Sequence, residues 1–272
     1  MFKRVLPYTT RPFSVLCCLP VETAAVHAVE RLRQQLIRQA TKPFMARGMR
    51  LKRCPSCLLA ERFCVCGWRP QVASDAAFCL LMHAAEPLKP TNTGRLMAEL
   101  WPEQTQAFVW SRTEVDPALL ALLADASWQP YVVFPAEFAP EAEIVEHLEQ
   151  YQAEHNPARK PLFILLDATW PQARKMFRKS PYLQGLPILS LNPDKPSAYR
   201  LRRSNREEHL CTAEVAVLCL EQAGEVDAAL ALGAYCEIFS SRYLAARLTR
   251  EVDENAPPYQ LLKRFLPTPS DV

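Results

Sequence analysis

Residues 161–180 read PLFILLDATWPQARKMFRKS, and this stretch indicates the fold class. Its five consecutive apolar residues, Leu162–Leu166, are typical of a short strand that is buried on both faces. Asp167 follows the strand directly, and a helical pattern begins at Pro171. A buried strand followed at once by a helix indicates an α/β fold, in which ligands bind beyond the carboxyl ends of the parallel strands.

The same alternation of apolar runs and helical patterns continues through much of the chain. The predicted strands are Ala76–His83, Gln106–Trp110, Tyr131–Phe134, Leu162–Leu166 and Leu186–Leu191. The predicted helices lie near residues 92–101, 116–125, 140–152, 171–180, 212–223 and 225–247. We therefore expect residues 71–247 to form an α/β domain with a mainly parallel sheet and helices on both faces.

Three other segments accompany this predicted domain. Residues 1–50 form an amino-terminal extension, with a basic amphipathic helix pattern over residues 22–41. Residues 51–70 contain a cysteine-rich module, and residues 248–272, with four prolines and mixed charge, are expected to form a tail. A chain of 272 residues is long enough for one sizeable core and an appended module.

The cysteine-rich module has the pattern C-x2-C-x6-C-x-C within thirteen residues. Its cysteines are Cys54, Cys57, Cys64 and Cys66. Such spacing is typical of one structural zinc ion with four thiolate ligands and no open position, and the alternative is a cluster of buried reduced thiols. Zinc thiolates favour a reducing compartment, so we expect a cytoplasmic protein. No apolar run approaches the ~20 residues that cross a membrane.

Charge and glycine content narrow the function classes further. Residues 1–70 contain 13 basic and 3 acidic residues, and residues 160–206 contain 10 and 2, in a chain whose net charge is only +3. Two basic blocks indicate a polyanionic partner such as RNA or DNA, and the alternative is a solvated charged surface. The 6 glycines are too widely spaced to build a dinucleotide-binding G-x-G-x-x-G turn or a phosphate-binding P-loop.

The segment after the strand Leu162–Leu166 contains the main candidates for a catalytic site. Asp167 lies where a carboxylate can reach a ligand at the rim of a sheet. Thr169 is either a ligand contact or the cap of the next helix, because Thr-x-x-Gln172 fits a capping box. Trp170 is either a packing aromatic or a wall for a bound ring.

Two other segments carry candidate binding residues. Thr91-Asn92-Thr93-Gly94-Arg95 predicts the start of a helix that is capped by Asn92 or Thr93. Thr212 is similarly a candidate cap, and Glu214 would favour the dipole of the helix that it begins.

Basic residues follow the candidate site in two groups. Arg174 and Arg178 are four residues apart, as are Lys175 and Lys179, so each pair shares one side of the predicted helix. The loop at residues 196–203 combines an aromatic residue with three arginines, which suits unpaired bases and phosphates. In both groups the alternative is an ordinary solvated surface.

Taken together and in order, these motifs resemble the DTW-domain family. They are Cys54-x2-Cys57-x6-Cys64-x-Cys66, Thr91-Asn-Thr-Gly94, Asp167-Ala-Thr-Trp170, Ser197-Ala-Tyr199-Arg-Leu-Arg202 and Thr212-Ala-Glu214, within residues 22–245. The chain departs from the family at two positions, with Cys211 where serine is frequent and Ala168 where glycine is common. Cys211 weakens a helix cap more than a reaction step.

The resemblance implies an S-adenosylmethionine-dependent enzyme with a knotted, SPOUT-like α/β domain. Such enzymes transfer the 3-amino-3-carboxypropyl group to N3 of a uridine in the tRNA variable loop and release methylthioadenosine. The implied partner is tRNA, and no protein partner is evident. A SPOUT-type RNA methyltransferase, a non-catalytic zinc-dependent RNA-binding module and a structural protein with incidental zinc are the alternatives.

The resemblance also gives each candidate residue an expected role. The expected catalytic residues are Asp167, Thr169 and Trp170, with Asp167 as a base or as the group that orients the uracil imide. The expected cofactor-binding residues are Ser197, Tyr199, Thr212 and Glu214. The expected RNA-binding residues are Arg174, Lys175, Arg178, Arg200 and Arg202.

Overall fold

A computed structural model describes residues 26–42, 51–191 and 210–267 of the chain. The described residues form a six-stranded sheet in the order β2-β1-β5-β3-β6-β4. The strands are β1 (Ala77–Met82), β2 (Thr105–Val109), β3 (Trp128–Val133), β4 (Ile144–Val145), β5 (Lys160–Asp167) and β6 (Ile188–Leu189). Each pair of neighbouring strands is parallel, so the prediction of a mainly parallel sheet is confirmed.

Helices connect most of these strands and follow the last one. Within the described residues they are α1 (Ala28–Gln39), α2 (Gly94–Leu100), α3 (Pro117–Ala124), α4 (Leu148–His155), α5 (Trp170–Arg178), α6 (Thr212–Gln222), α7 (Val226–Leu248) and α8 (Pro257–Leu262). Among the same residues, none of the helices combines the length and the apolar character that a membrane crossing requires.

The sheet buries both of its faces, which explains why its central strands are continuous apolar runs. On β1, Phe78, Leu80 and Met82 belong to one core, whereas Ala77, Cys79 and Leu81 belong to a second core on the opposite face. Residues of α1, α2, α4, α6, α7 and α8 complete the first core, and residues of α3 and α5 complete the second. Helices therefore cover both faces, as the sequence predicts.

Two segments differ from the sequence-based expectations. The helix expected over residues 140–152 begins only at Leu148, because Ile144–Val145 pairs with β6 as a two-residue edge strand. Part of the expected tail forms α8, whose Tyr259 and Leu262 are buried in the first core. Two of the prolines that suggested a tail occupy the first turn of α8, where a missing N–H group costs no helical hydrogen bond.

Some expectations fall on residues outside the described ranges. Helix α1 lies within the predicted amphipathic segment 22–41, but residues 1–25 and 43–50 are not described. Residues 192–209, which connect β6 to α6, are also outside the described residues. Whether the chain is knotted depends on the course of this connection, so the knotted topology stays a prediction.

Candidate functional site

Asp167 joins three separate segments at the carboxyl end of β5. Its side chain is buried, with 1% of its surface exposed. Its Oδ2 accepts a hydrogen bond from Nδ2 of Asn92 at 2.6 Å, and its Oδ1 accepts one from Oγ1 of Thr212 at 2.9 Å. The carboxylate thus ties the end of β5 to the start of α2 and to the first turn of α6.

Asn92 has two functions at the start of α2. Its Oδ1 accepts a hydrogen bond from the backbone N–H of Arg95 at 3.0 Å, so Asn92 caps the helix as predicted. Its Nδ2 is the group that binds Asp167. Gly94 lies so close to this contact that an added Cβ would be 2.6 Å from Oδ2 of Asp167. Only glycine allows the backbone of α2 to approach the carboxylate this closely.

A series of turns carries the chain from β1 to Asn92. Backbone hydrogen bonds join Glu86 to His83 at 2.8 Å, Lys89 to Glu86 at 3.1 Å, and Asn92 to Lys89 at 3.0 Å. Glu86 is completely buried, and its Oε1 lies 2.6 Å from Nζ of Lys89. Sequence reasoning gave no role to Glu86 or His83. The signal that identified Asp167, a titratable residue directly after an apolar strand, applies equally to His83.

Thr169 and Gln172 form the capping box that the sequence predicts for α5. The backbone N–H of Thr169 donates to Oε1 of Gln172 at 3.0 Å. The other end of the Gln172 amide, Nε2, lies 3.2 Å from Nε2 of His83. The helix-cap interpretation of Thr169 is therefore confirmed, and the cap also links α5 to the end of β1.

Trp170 packs in an aromatic cluster beside the site. Its ring stacks on Phe134 with centroids 5.6 Å apart and meets Phe138 edge-on at 5.2 Å. The guanidinium of Arg174 lies over Phe138, 4.5 Å from the ring centroid. Trp170 thus packs against aromatic neighbours on one side and remains partly exposed. Sequence reasoning missed Phe138, because its short turn after β3 carries no distinctive pattern.

The cationic residues expected on α5 face solvent. Arg174, Lys175 and Arg178 are all exposed, on a helix whose buried residues Met176 and Phe177 face the sheet. The other expected RNA contacts, Arg200 and Arg202, lie outside the described residues, as do Ser197 and Tyr199.

The first turn of α6 brings Thr212 and Glu214 to the same region. Oε2 of Glu214 accepts a hydrogen bond from the backbone N–H of Cys211 at 2.7 Å, and the Cys211 side chain completes a capping box. The replacement of serine by cysteine therefore preserves the cap. Burial raises the pKa of Glu237 on α7, and the nearby charge of Glu214 raises it further.

The four cysteines of residues 51–70 also converge. Their sulfur atoms all lie within 4.8 Å of one another, with Cys54 Sγ 3.6 Å from Cys66 Sγ and Cys57 Sγ 3.9 Å from Cys64 Sγ. Four sulfurs at about 2.3 Å from a tetrahedral zinc ion are about 3.8 Å apart, so the cluster fits zinc. Hydrogen bonds among the thiols lower the pKa of Cys54 and raise the pKa of Cys57 and Cys64, so the cysteines interact directly with one another.

The backbone of the cysteine cluster is under local strain. Leu58, directly after Cys57, has φ of 60° and is almost completely buried. A branched residue in the left-handed region is rare, and it persists where the surrounding structure fixes it. Cys54 helps to fix Leu58 in this conformation, since the backbone carbonyl of Cys54 accepts a hydrogen bond from the N–H of Leu58 at 3.0 Å.

Comparisons with known proteins identify the family of this chain. The DTW domain family matches residues 51–244, which include the cysteine cluster and the Asp167 site. The Drosophila melanogaster protein tRNA-uridine aminocarboxypropyltransferase 2 is 27% identical over 177 residues, which cover 63% of this chain and 66% of that protein. The match thus spans slightly less than two thirds of the relative, and no solved structure matches this chain. Because the family match covers well over half of its length, the chain belongs to the DTW domain family.

Proposed function

We propose that this protein is a cytoplasmic tRNA-modifying enzyme that uses S-adenosylmethionine. It transfers the 3-amino-3-carboxypropyl group to N3 of a uridine in the tRNA variable loop. The observation that carries the proposal is the Asn92–Asp167–Thr212 contact, in which three motifs that are far apart in sequence meet at one end of the sheet. The name of the 27% identical relative supports the same reaction.

The proposed reaction makes modest electrostatic demands on the protein. S-adenosylmethionine supplies the transferred group, which is bonded through its γ-carbon to a sulfonium sulfur. The N3–H proton of uracil passes to solvent water, a bond forms between N3 and the γ-carbon, and the carbon–sulfur bond breaks, with its electron pair going to sulfur, to release neutral methylthioadenosine. No charge grows on the leaving group, so alignment of N3 with the γ-carbon is the main contribution required of the protein.

For Asp167 we propose the orienting role and not the role of the base. Both carboxylate oxygens accept hydrogen bonds from protein groups, and the side chain is buried. A carboxylate in this position fixes Asn92 and Thr212, and through them the two segments that border the site. Thr169, as the cap of α5, and Trp170, as a wall, complete the shape of the pocket in this proposal.

The substitution Asp167→Asn separates the two roles. An orienting carboxylate predicts weaker binding of S-adenosylmethionine together with lower activity, because an amide cannot accept from both Asn92 and Thr212 as the carboxylate does. A base predicts lost turnover with unchanged binding. Isothermal titration and single-turnover assays on the same preparation measure both quantities.

We assign the amino-acid end of S-adenosylmethionine to Thr212 and Glu214, together with Ser197 and Tyr199. The pKa of Glu237, raised first by burial and then by the charge of Glu214, supports this assignment, because a carboxylate near another carboxylate favours a cationic group beside it. The α-ammonium group of the donor is such a cation.

The tRNA is assigned to the cationic surface beside Trp170. Arg174, Lys175 and Arg178 are exposed on α5. We assign tRNA contacts to Arg200 and Arg202 as well. Cations on one helix face suit backbone phosphates, which give affinity without reading sequence. The Phe138–Arg174 contact adds an aromatic and a guanidinium plane, on which an unpaired base can stack.

The four cysteines would hold zinc, and its role would be structural. A site with four thiolate ligands leaves no coordination position for substrate. The sulfur–sulfur separations of 3.6 and 3.9 Å support zinc at this site.

We also propose the knotted SPOUT topology for the catalytic domain. The chain leaves the sheet at β6, between β3 and β4, yet Thr212 binds Asp167 at the end of β5. A crystal structure that traces residues 192–209 tests the topology.

The function is tested by incubating the purified protein with S-adenosylmethionine and unmodified tRNA. Methylthioadenosine and a nucleoside that has gained the aminocarboxypropyl mass support the proposal. S-adenosylhomocysteine and a methylated nucleoside would identify a methyltransferase instead. Binding of tRNA with neither product would identify a non-catalytic RNA-binding module.

A further inference from the structure

We propose that the four-cysteine module positions the Asp167 site, and that Arg95 is the residue through which it does so. The proposal rests on the proposed function for the zinc ion held by the module and for the ligand used in one of its tests. Arg95 is a positioning residue in this account, because its own contacts are with protein groups.

Arg95 contacts the module with its side chain and the site with its backbone. Its Nη2 donates to the backbone carbonyl of Ser56, which lies between the ligands Cys54 and Cys57. Its backbone N–H donates to Oδ1 of Asn92 at 3.0 Å, and Nδ2 of Asn92 donates to Asp167 at 2.6 Å. Arg95 and the side-chain amide of Asn92 therefore connect the cysteine cluster to the Asp167 carboxylate.

Buried partners hold the Arg95 side chain in this position. Arg95 is 2% exposed, and its Nε donates to Oε1 of Glu99 at 2.9 Å. Oε2 of Glu99 accepts from the hydroxyl of Tyr235 at 2.7 Å and lies 3.4 Å from Nη2 of Arg69. Burial raises the pKa of Glu99, but the charges of Arg95 and Arg69 outweigh it and lower the pKa overall. The carboxylate therefore stays ionised and fixes the guanidinium.

A second arginine binds the module without leading to the site. Nη1 of Arg242 donates to the backbone carbonyl of Cys64 at 2.9 Å, and its Nε donates to the hydroxyl of Tyr259 at 3.0 Å. Arg242 is 3% exposed and also pairs with Glu254. Its contacts connect the module to α7 and α8, whereas those of Arg95 connect it to α2.

The two arginines make the role of Arg95 distinguishable from general support of the fold. Each is buried, each has a carboxylate partner, and each donates to one backbone carbonyl of the module. Loss of either weakens the attachment of the module and lowers stability. Of the two arginines, only Arg95 is also hydrogen-bonded to Asn92, so only the loss of Arg95 is expected to alter the Asp167 site.

The experiment compares Arg95→Gln with Arg242→Gln in the full-length, zinc-loaded protein. Hydrogen exchange without any ligand is measured for peptides that contain residues 91–95, and zinc content is measured by mass spectrometry. We expect Arg95→Gln to accelerate exchange in these peptides while zinc content remains at one ion per chain. We expect Arg242→Gln to leave exchange at residues 91–95 as in the wild type.

Binding of S-adenosylmethionine gives the second measurement. Arg95→Gln is expected to weaken the affinity for S-adenosylmethionine about tenfold, which corresponds to the loss of about one hydrogen bond to a charged group. Arg242→Gln is expected to leave this affinity unchanged. If Arg95→Gln does not fold, Arg95→Lys replaces it, because a lysine keeps a cation beside Glu99 but lacks the fork that also reaches Ser56.

Two results would overturn the proposal. One is an unchanged exchange rate at residues 91–95 in the Arg95 variant. The other is an equal increase in both arginine variants, which would indicate general loosening of the fold. Failure of the wild type to bind S-adenosylmethionine would contradict the proposed function alone, since the exchange comparison needs no ligand.

Discussion

The hydroxyl of Thr212 donates a hydrogen bond to Oδ1 of Asp167 at 2.9 Å, although 45 positions separate the two residues in the sequence. This contact joins the first turn of α6 to the end of the central strand β5. It gives the motif Thr212-Ala-Glu214 a structural function that is independent of any ligand.

Replacement of Thr212 by valine tests how much this hydrogen bond contributes to stability. Valine keeps the shape and removes the donor, so we expect a loss of about 1.5–3 kcal/mol in the free energy of unfolding, as for a hydrogen bond to a charged group. Binding of S-adenosylmethionine should weaken as well. Urea denaturation and titration calorimetry measure these effects, and Thr113→Val, at an exposed position, is the control. Equal stabilities of the two variants would disprove the assigned role.

Replacement of Gly94 by alanine tests the close approach of α2 to Asp167. The new Cβ would lie 2.6 Å from the carboxylate oxygen, so α2 or Asp167 must move, and we expect strong loss of activity and a free energy of unfolding lower by about 1–3 kcal/mol. Gly233→Ala is the matched control. Gly233 lies within α7, and the atom nearest to an added Cβ is Cγ2 of Val217 on α6 at 3.8 Å, so alanine there should raise stability by up to about 1 kcal/mol. The opposite order of the two melting temperatures would contradict the geometry.

Replacement of Cys57 by alanine tests the metal site. We expect the bound zinc to fall from one ion per chain to a small fraction, because three thiolates bind the ion far more weakly than four. Cys79→Ala is the control, since Cys79 is equally buried but lies on β1, outside the cluster. Zinc retained by the Cys57 variant, or lost by both variants, would argue against the four-cysteine site.

His27, which caps α1, predicts a specific loss of stability in acid. Burial lowers its pKa from 6.5 to about 4, and the charges of Arg95 and Arg69 also lower it, against the opposing effect of Glu99. The unfolded chain therefore takes up a proton at a higher pH than the folded protein does, so acidification between these two values favours unfolding. We expect the loss to be about 1–3 kcal/mol from pH 6.5 to pH 4.

His27→Asn provides the comparison for this effect. Asparagine retains an acceptor for the backbone N–H of Glu30, which Nδ1 of His27 accepts at 3.3 Å, but it does not titrate. The difference in unfolding free energy between wild type and variant should shrink or change sign as the pH falls from 6.5 to 4. A difference that is constant with pH would show that His27 is not the group responsible.

Local patterns were sufficient for much of the site. The apolar run Leu162–Leu166 predicted both β5 and the position of Asp167 at its end, because a strand buried on both faces requires a continuous apolar sequence. The capping box of Thr169 and Gln172 was equally visible, since it depends on residues three positions apart.

Other features depend on partners that are distant in the sequence. The edge strand β4 forms because Val145 pairs with Leu189 of β6. A strand of two residues is too short to show an alternating hydrophobic pattern in the sequence. Helix α8 exists because α7 offers apolar surface to Tyr259. The buried pair of Arg95 and Glu99 has the spacing of an ordinary exposed ion pair, and the packing of the cysteine module and of Tyr235 against α2 removes it from water.

By itself, the sequence determined the longer strands, the capping box of α5 and the cysteine cluster, because periodicity, capping and ligand spacing act over a few neighbouring positions. Only the tertiary structure decided that the Asp167 carboxylate is buried and bound by Asn92 and Thr212. A buried charge is tolerated only where hydrogen-bond donors meet it, and in this protein those donors come from segments 75 and 45 positions away.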